Sequence, residues 1–191
     1  MSAILLAALP LAGCGNALDG GSSPSGSYIT AEVAQDSIEP DIFLTVCSEA
    51  IDEDTGVVTY EYESGLTNTY VTVTLHNDST PTTPEGSSTN NDVTMSRYRV
   101  DYTGLNKSVS IKSFDGAGST VIVPKDGSAT MTVNVMSLET LEYIRSHYPS
   151  IGSGQTLELR ATVTIWGEDA FEVRVSTQVE VTLVVAEYDR C

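Results

Sequence analysis

The stretch Tyr70-Val-Thr-Val-Thr-Leu75 favours one regular conformation. Val71, Val73 and Leu75 alternate with Tyr70, Thr72 and Thr74, and a period of two puts each set on its own face of a pleated strand. A helix would scatter the same residues round its axis. Four of the six are β-branched, and such side chains lose more freedom in a helix than in a strand. The pattern continues from Asp92 to Thr103, where unbroken alternation places Val93, Met95, Arg97, Arg99 and Asp101 on one face and Tyr98, Val100 and Tyr102 on the other.

Further strands are expected at Ser27–Val33, Asp41–Cys47, Gly56–Glu63, Ser108–Phe114, Ser119–Pro124, Ser128–Ser137, Gln155–Glu168 and Ala170–Tyr188. Turns are expected at Asp115–Gly118, Lys125–Gly127 and Gly167–Asp169, the last placing Trp166 at the turn of a final hairpin. Between Asn77 and Asn91 a polar, proline-containing stretch reads as a surface loop. One segment breaks the period: Leu138, Leu141, Ile144 and Tyr148 recur at helical spacing, with Ser137 as N-cap and Pro149 as stop. At 191 residues and 40% hydrophobic content the chain supports one domain with a core. The fold class expected is all-β: an antiparallel two-sheet sandwich of immunoglobulin or fibronectin type with one short inserted helix, spanning residues 28–191. A β-barrel is the lesser option.

The N-terminus reads differently. Residues 3–12 form an uncharged apolar run of the length of a signal-peptide core, far short of the roughly 20 residues that span a bilayer. Leu11, Ala12, Gly13 and Cys14 follow, and this tetrad resembles the bacterial lipobox. The resemblance implies a signal peptide at 1–13, removed, and diacylglyceryl and acyl groups (palmitate among them) on Cys14. Met1 and Ser2 depart from the usual pattern in carrying no positive charge. Gly15–Ser27 is rich in Gly and Ser, so residues 14–27 are expected to act as a tether. Gly15 and Asn16 after the cysteine resemble lipoproteins sent to the outer membrane of Gram-negative bacteria, facing the periplasm or the surface. The run Tyr70–Thr103, with the later ATVTIWGED and VSTQVEVTL segments, resembles small immunoglobulin-like lipoproteins of that envelope. It implies fold and location, not activity.

With Cys14 lipidated, Cys47 and Cys191 remain, and an oxidising compartment favours pairing them into a disulfide. The chain-entropy model gives about 4–5 kcal/mol for so long a loop. Free thiols or an intermolecular bond are the competing readings.

Chemistry is sparse. The excess of 26 acidic over 9 basic residues, net −17, repels phosphate backbones and argues against nucleic acid as a partner. No Cys/His ligand spacing, GxSxG or phosphate loop occurs, so neither a cofactor nor a metal site is assigned. His76 and His147 read as surface residues. The acids from Glu49 to Asp54 suggest calcium but lack the DxDxDG ligand order. A glycan-cleaving enzyme needs two carboxylates at a fixed separation, which no motif marks. Arg97, Tyr98, Arg99 and Tyr102 concentrate the residue types enriched at interfaces within an acidic chain, and are the partner-binding candidates. The reading that results is non-enzymatic: a lipid-anchored binding or scaffold module for another envelope or surface protein. The alternative is a structural or adhesive subunit, a homo-oligomer assembling through exposed strand edges such as that of Ala170–Tyr188.

Overall fold

The computed structural model describes residues 17–18, 21–22, 27–42, 46–52, 54–62, 66–79 and 91–188. The expected signal peptide, Cys14, Cys191 and most of the polar loop after Asn77 lie outside them, as does the side chain of Cys47, so the expected lipid and disulfide fall outside the described residues.

Two sheets enclose one core. The larger holds β8 (Val93–Gly104), β9 (Phe114–Val123), β11 (Leu157–Asp169) and β12 (Arg174–Val185), in the order β9-β8-β11-β12. The smaller holds β3 (Ser27–Val33), β7 (Thr69–Ser79) and β10 (Gly127–Met136), in the order β10-β7-β3. All of these neighbours are antiparallel. Among the described residues no strand pairing joins the two sheets, so the barrel option falls. Val71, Val73 and Leu75 of β7 point inward, as their spacing predicts, and meet Val163, Ile165, Val179 and Val181 from the larger sheet in a single cluster. Each side chain of this size taken out of water contributes about 1.5–3 kcal/mol.

Helix α1 (Leu138–His147) closes one end. Its N-cap is Ser137, whose Oγ accepts the Thr140 amide, and Leu141 and Ile144 enter the core while Leu138 stays largely exposed. At the opposite end Asn77 takes an inward position on β7 and is 1% exposed. Its Nδ2 donates to the carbonyls of Asn91 (2.8 Å) and Val123 (3.3 Å), and Ser27 Oγ donates to Asn91 as well. A buried amide thereby satisfies carbonyls on β9 and on the segment leading into β8.

Short segments cover the outer flank of β12. Strand β1 (Ala17–Leu18) pairs antiparallel with Val179 and Gln178, β4 (Ser37–Ile38) pairs parallel with Thr182 and Leu183, and Asp41 bridges to Ala186. Strand β2 (Gly21–Ser22) pairs with β3. Parts of the expected tether are therefore sheet residues. Strands β5 (Val46–Ile51) and β6 (Val58–Tyr62) form a separate hairpin.

Several local expectations are corrected. Residues 108–113 are irregular, and Asp115–Gly118 lies inside β9 instead of forming a turn. Gly116 serves there as a place of close approach, since a Cβ would run into the Tyr98 ring. Of the strand expected at Asp41–Cys47, residues 43–45 lie outside the described residues, Asp41 forms a single bridge, and β5 runs over Val46–Ile51. The last hairpin turns later than Gly167–Asp169: β11 runs to Asp169, whose Oδ1 accepts the amides of Phe171 and Val173. Aspartate capping its own turn supplied the real signal.

Replacing Asn77 by alanine is expected to lower unfolding free energy by about 1–3 kcal/mol, the cost of stranding buried carbonyls. Denaturant titration with unchanged far-ultraviolet circular dichroism measures it; an unaffected midpoint contradicts the latch.

Candidate functional site

The alternation expected along β8 breaks at Ser96. Arg97 lies opposite Trp166, yet Met95 lies opposite Gly167, so β8 holds one residue more than β11 across this step. On the other flank Met95 faces Val121 and Arg97 faces Ala117. Ser96 has no cross-strand partner on either side, which defines a β-bulge and reverses the inward and outward phase of the strand. Val93 and Met95, expected on the face of the arginines, are buried together with Tyr98 and Val100.

The four partner-binding candidates separate accordingly. Tyr98 is 5% exposed, its hydroxyl accepts the Asn134 amide, and its ring meets Phe114 edge-on. Tyr102 packs against the core and donates to the Val135 carbonyl at 2.8 Å, and burial pushes its hydroxyl well above the usual tyrosine pKa. Neither tyrosine offers an exposed contact, because the bulge and the alternation that follows it turn both inward. Arg97 and Arg99 face outward. Arg99 is engaged: it donates to Asp101 (3.1 Å) and Ser113 (2.6 Å) and lies 3.9 Å from Asp115. Arg97 makes no ion pair or hydrogen bond among the described residues.

Beside Arg97 the outer face carries an open depression of about 890 Å³. Arg97, Trp166, Glu168, Arg174 and Asp115 line it, with Tyr98 at its floor. Trp166 sits within β11, not at the turn, and is 37% exposed. Arg174 begins β12 directly opposite Glu168 and, like Arg97, has no ion pair or hydrogen bond among the described residues. Gly167 lets β11 approach β8 here, since a Cβ would collide with the Thr94 carbonyl. Arg97, Arg99, Arg160 and Arg174 place four of the nine basic residues of the chain on this face. Arg160 is paired with Glu180 at 3.5 Å, which leaves Arg97 and Arg174 as the pair with unspent donors.

Chemically, this arrangement offers two guanidinium forks for a carboxylate or other anion, a flat apolar ring, and two acceptor carboxylates. Trp166 and Arg174 were not among the residues marked by sequence. Both lie on the exposed phase of their strands, and the bulge that brings Arg97 beside them forms between β8 and β11, so the spacing of neither strand marks the site.

The remaining candidates have local roles. Asp52 caps its own turn: its Oδ1 accepts the amides of Asp54 and Thr55, and Gly56 supplies the left-handed residue at φ 68°. Among the described residues no group of His, Cys, Asp or Glu side chains is arranged to hold a metal ion. His76 lies 3.2 Å from Glu32, and His147 stacks on Tyr143. No helix among the described residues is long and apolar enough to cross a membrane.

No protein-family model matches the chain, and no curated protein matches it in sequence.

Gly167→Ala is expected to cost about 1–3 kcal/mol, because the added methyl meets backbone that has no room to move; thermal melting followed through Trp166 emission tests the bulge. The hydrogen bonds from Thr55 and Asp54 hold the Asp52 carboxyl below the ordinary aspartate value of 3.8. A depressed pKa stabilises the turn at higher pH, and that stability is lost as pH falls through the folded-state value. A carboxyl carbon titration by nuclear magnetic resonance should therefore show a midpoint under 3.8, and one at or above it refutes the cap.

Proposed function

We propose that this chain is a non-enzymatic binding module of immunoglobulin or fibronectin type, anchored by lipid at Cys14 to the outer membrane of a Gram-negative bacterium, and that it engages an envelope or surface partner through the outer face of its larger sheet. The observation that carries the reading is the pair Arg97 and Arg174, unpaired among the described residues, flanking the single tryptophan of a chain with net charge −17. In so acidic a protein an arginine has many carboxylates to choose from. Two left with free donors beside an exposed indole have the composition of a recognition surface.

The winding supports the fold assignment. The chain changes sheets between β7 and β8, between β9 and β10, and between β10 and β11, which is the Greek-key path of a sandwich with three strands facing four. The position of β1 supports the anchor, since Ala17 is paired three residues after Cys14 and the lipid would hold the domain close to the bilayer. The alternative, assembly through strand edges, loses the strand nominated for it: β12 pairs with β11 on one side and with β1, β4 and Asp41 on the other.

Purification from native membranes in mild detergent, with intact-mass measurement, tests both parts. The expected product starts at Cys14, carries acyl chains, and retains a companion that the double substitution Arg97→Glu, Arg174→Glu releases at unchanged melting temperature. A companion held equally by the double variant rejects this face. An unlipidated product from the soluble fraction rejects the anchor.

A further inference from the structure

The depression beside Trp166 is more particular than a general contact surface. We propose that it is a saccharide-binding site selective for sugars that carry a carboxylate, such as uronic or nonulosonic acids, within an oligomeric glycan. The inference rests on the reading of this face as a binding surface and names its ligand class.

Three features act together. Trp166 presents a half-exposed ring from the middle of a paired strand, and its indole N–H has no partner among the described residues. The ring face carries partial negative charge and attracts the slightly positive C–H groups on the flat side of a pyranose. Arg97 stands directly across from Trp166 in the β11–β8 register, so a guanidinium is available beside whatever lies on the ring. A planar fork with free donors matches a carboxylate through two parallel hydrogen bonds. Arg174, two register positions along from Trp166 and opposite Glu168, supplies a second cationic donor set.

The third feature distinguishes a sugar from an acidic peptide. Asp115 and Glu168 also line the depression, and ionised carboxylates only accept hydrogen bonds. An acidic side chain from a protein would bring its own acceptors to them and be repelled. A saccharide brings hydroxyl donors, so a ring bearing one carboxylate and several hydroxyls satisfies both arginines and both acids. The volume, about 890 Å³, is that of ligand sites in general, and its openness suits a chain passing across the face. Because the lining residues are borne on paired strands, ordering on binding is confined to side chains such as Arg97 and Arg174. The net charge of −17 does not forbid an anionic ligand, since at physiological ionic strength charges beyond about 8 Å are largely screened and the local arginines decide.

Trp166 is the single tryptophan of the chain, so its emission reports on this site alone. The full-length protein in mild detergent is titrated with a short oligogalacturonide, a hyaluronan tetrasaccharide and sialyllactose, each beside its carboxyl-reduced counterpart. The expected result is a saturable change in emission with at least one acidic saccharide, about tenfold or more weaker for the reduced form. Arg97→Gln should weaken it about 10–100-fold, the loss of one charge-assisted contact, at unchanged melting temperature. Equal binding of acidic and reduced forms overturns the selectivity, and silence with all three acidic saccharides overturns the saccharide inference. In the latter case the double glutamate variant separates the outcomes. If it still releases a protein companion, the face binds protein and only the ligand class is wrong; if it changes nothing, the binding reading falls with it.

Discussion

Ser96 stands between Met95 and Arg97 without a cross-strand partner on β9 or β11, and the packing on both sides of the larger sheet depends on it. With unbroken alternation, β8 would bury either Met95 or Tyr98, not both, and one large side chain would be lost from the core. The extra residue lets Val93, Met95, Tyr98 and Val100 all face inward. The same step turns Arg97 outward next to Trp166, and glycine at 167 permits the approach of backbones that the bulge requires. Core and candidate site are thus two faces of one register shift, in keeping with the tendency of bulges to re-aim side chains at functional places.

Electrostatics gives that place its character. Elsewhere on this face a guanidinium finds a carboxylate, as Arg99 does with Asp101 and Arg160 with Glu180. Exposed pairs of this kind add little to stability, at most about 1 kcal/mol. Their consequence here is to mark by contrast the arginines that remain uncommitted. Arg97 and Arg174 sit where an aromatic ring and acceptor carboxylates are also displayed.

The rest of the molecule braces the two ends of the sandwich and covers the outer flank of β12. Asn77 ties the end of β7 to β9 and to the segment before β8, while α1 fills the other end. Along β12, two short strands and a bridge cover backbone groups that would otherwise offer a template to another chain. One of those strands begins three residues after Cys14, so the proposed anchor would lead into the sheet that carries the candidate site.

Much of this architecture was legible in the residues themselves. The inward set Val71, Val73, Leu75, the cap at Ser137, the helix behind it and the turn at Lys125–Gly127 follow from period, capping chemistry and turn residues, which act over a few positions. The all-β class followed from the same local rules. What the sequence by itself determined was therefore the type of nearly every long element and the arginines of β8 as residues of interest. Tertiary structure alone decided which way those side chains point: a bulge arises when two neighbouring strands compete over register, and Trp166, Arg174 and Arg97 lie on three strands whose meeting no local spacing encodes. It also converted the glycines at 116 and 167 from apparent turn signals into points of close approach, because the Tyr98 ring and the Thr94 carbonyl that crowd them come from elsewhere in the chain.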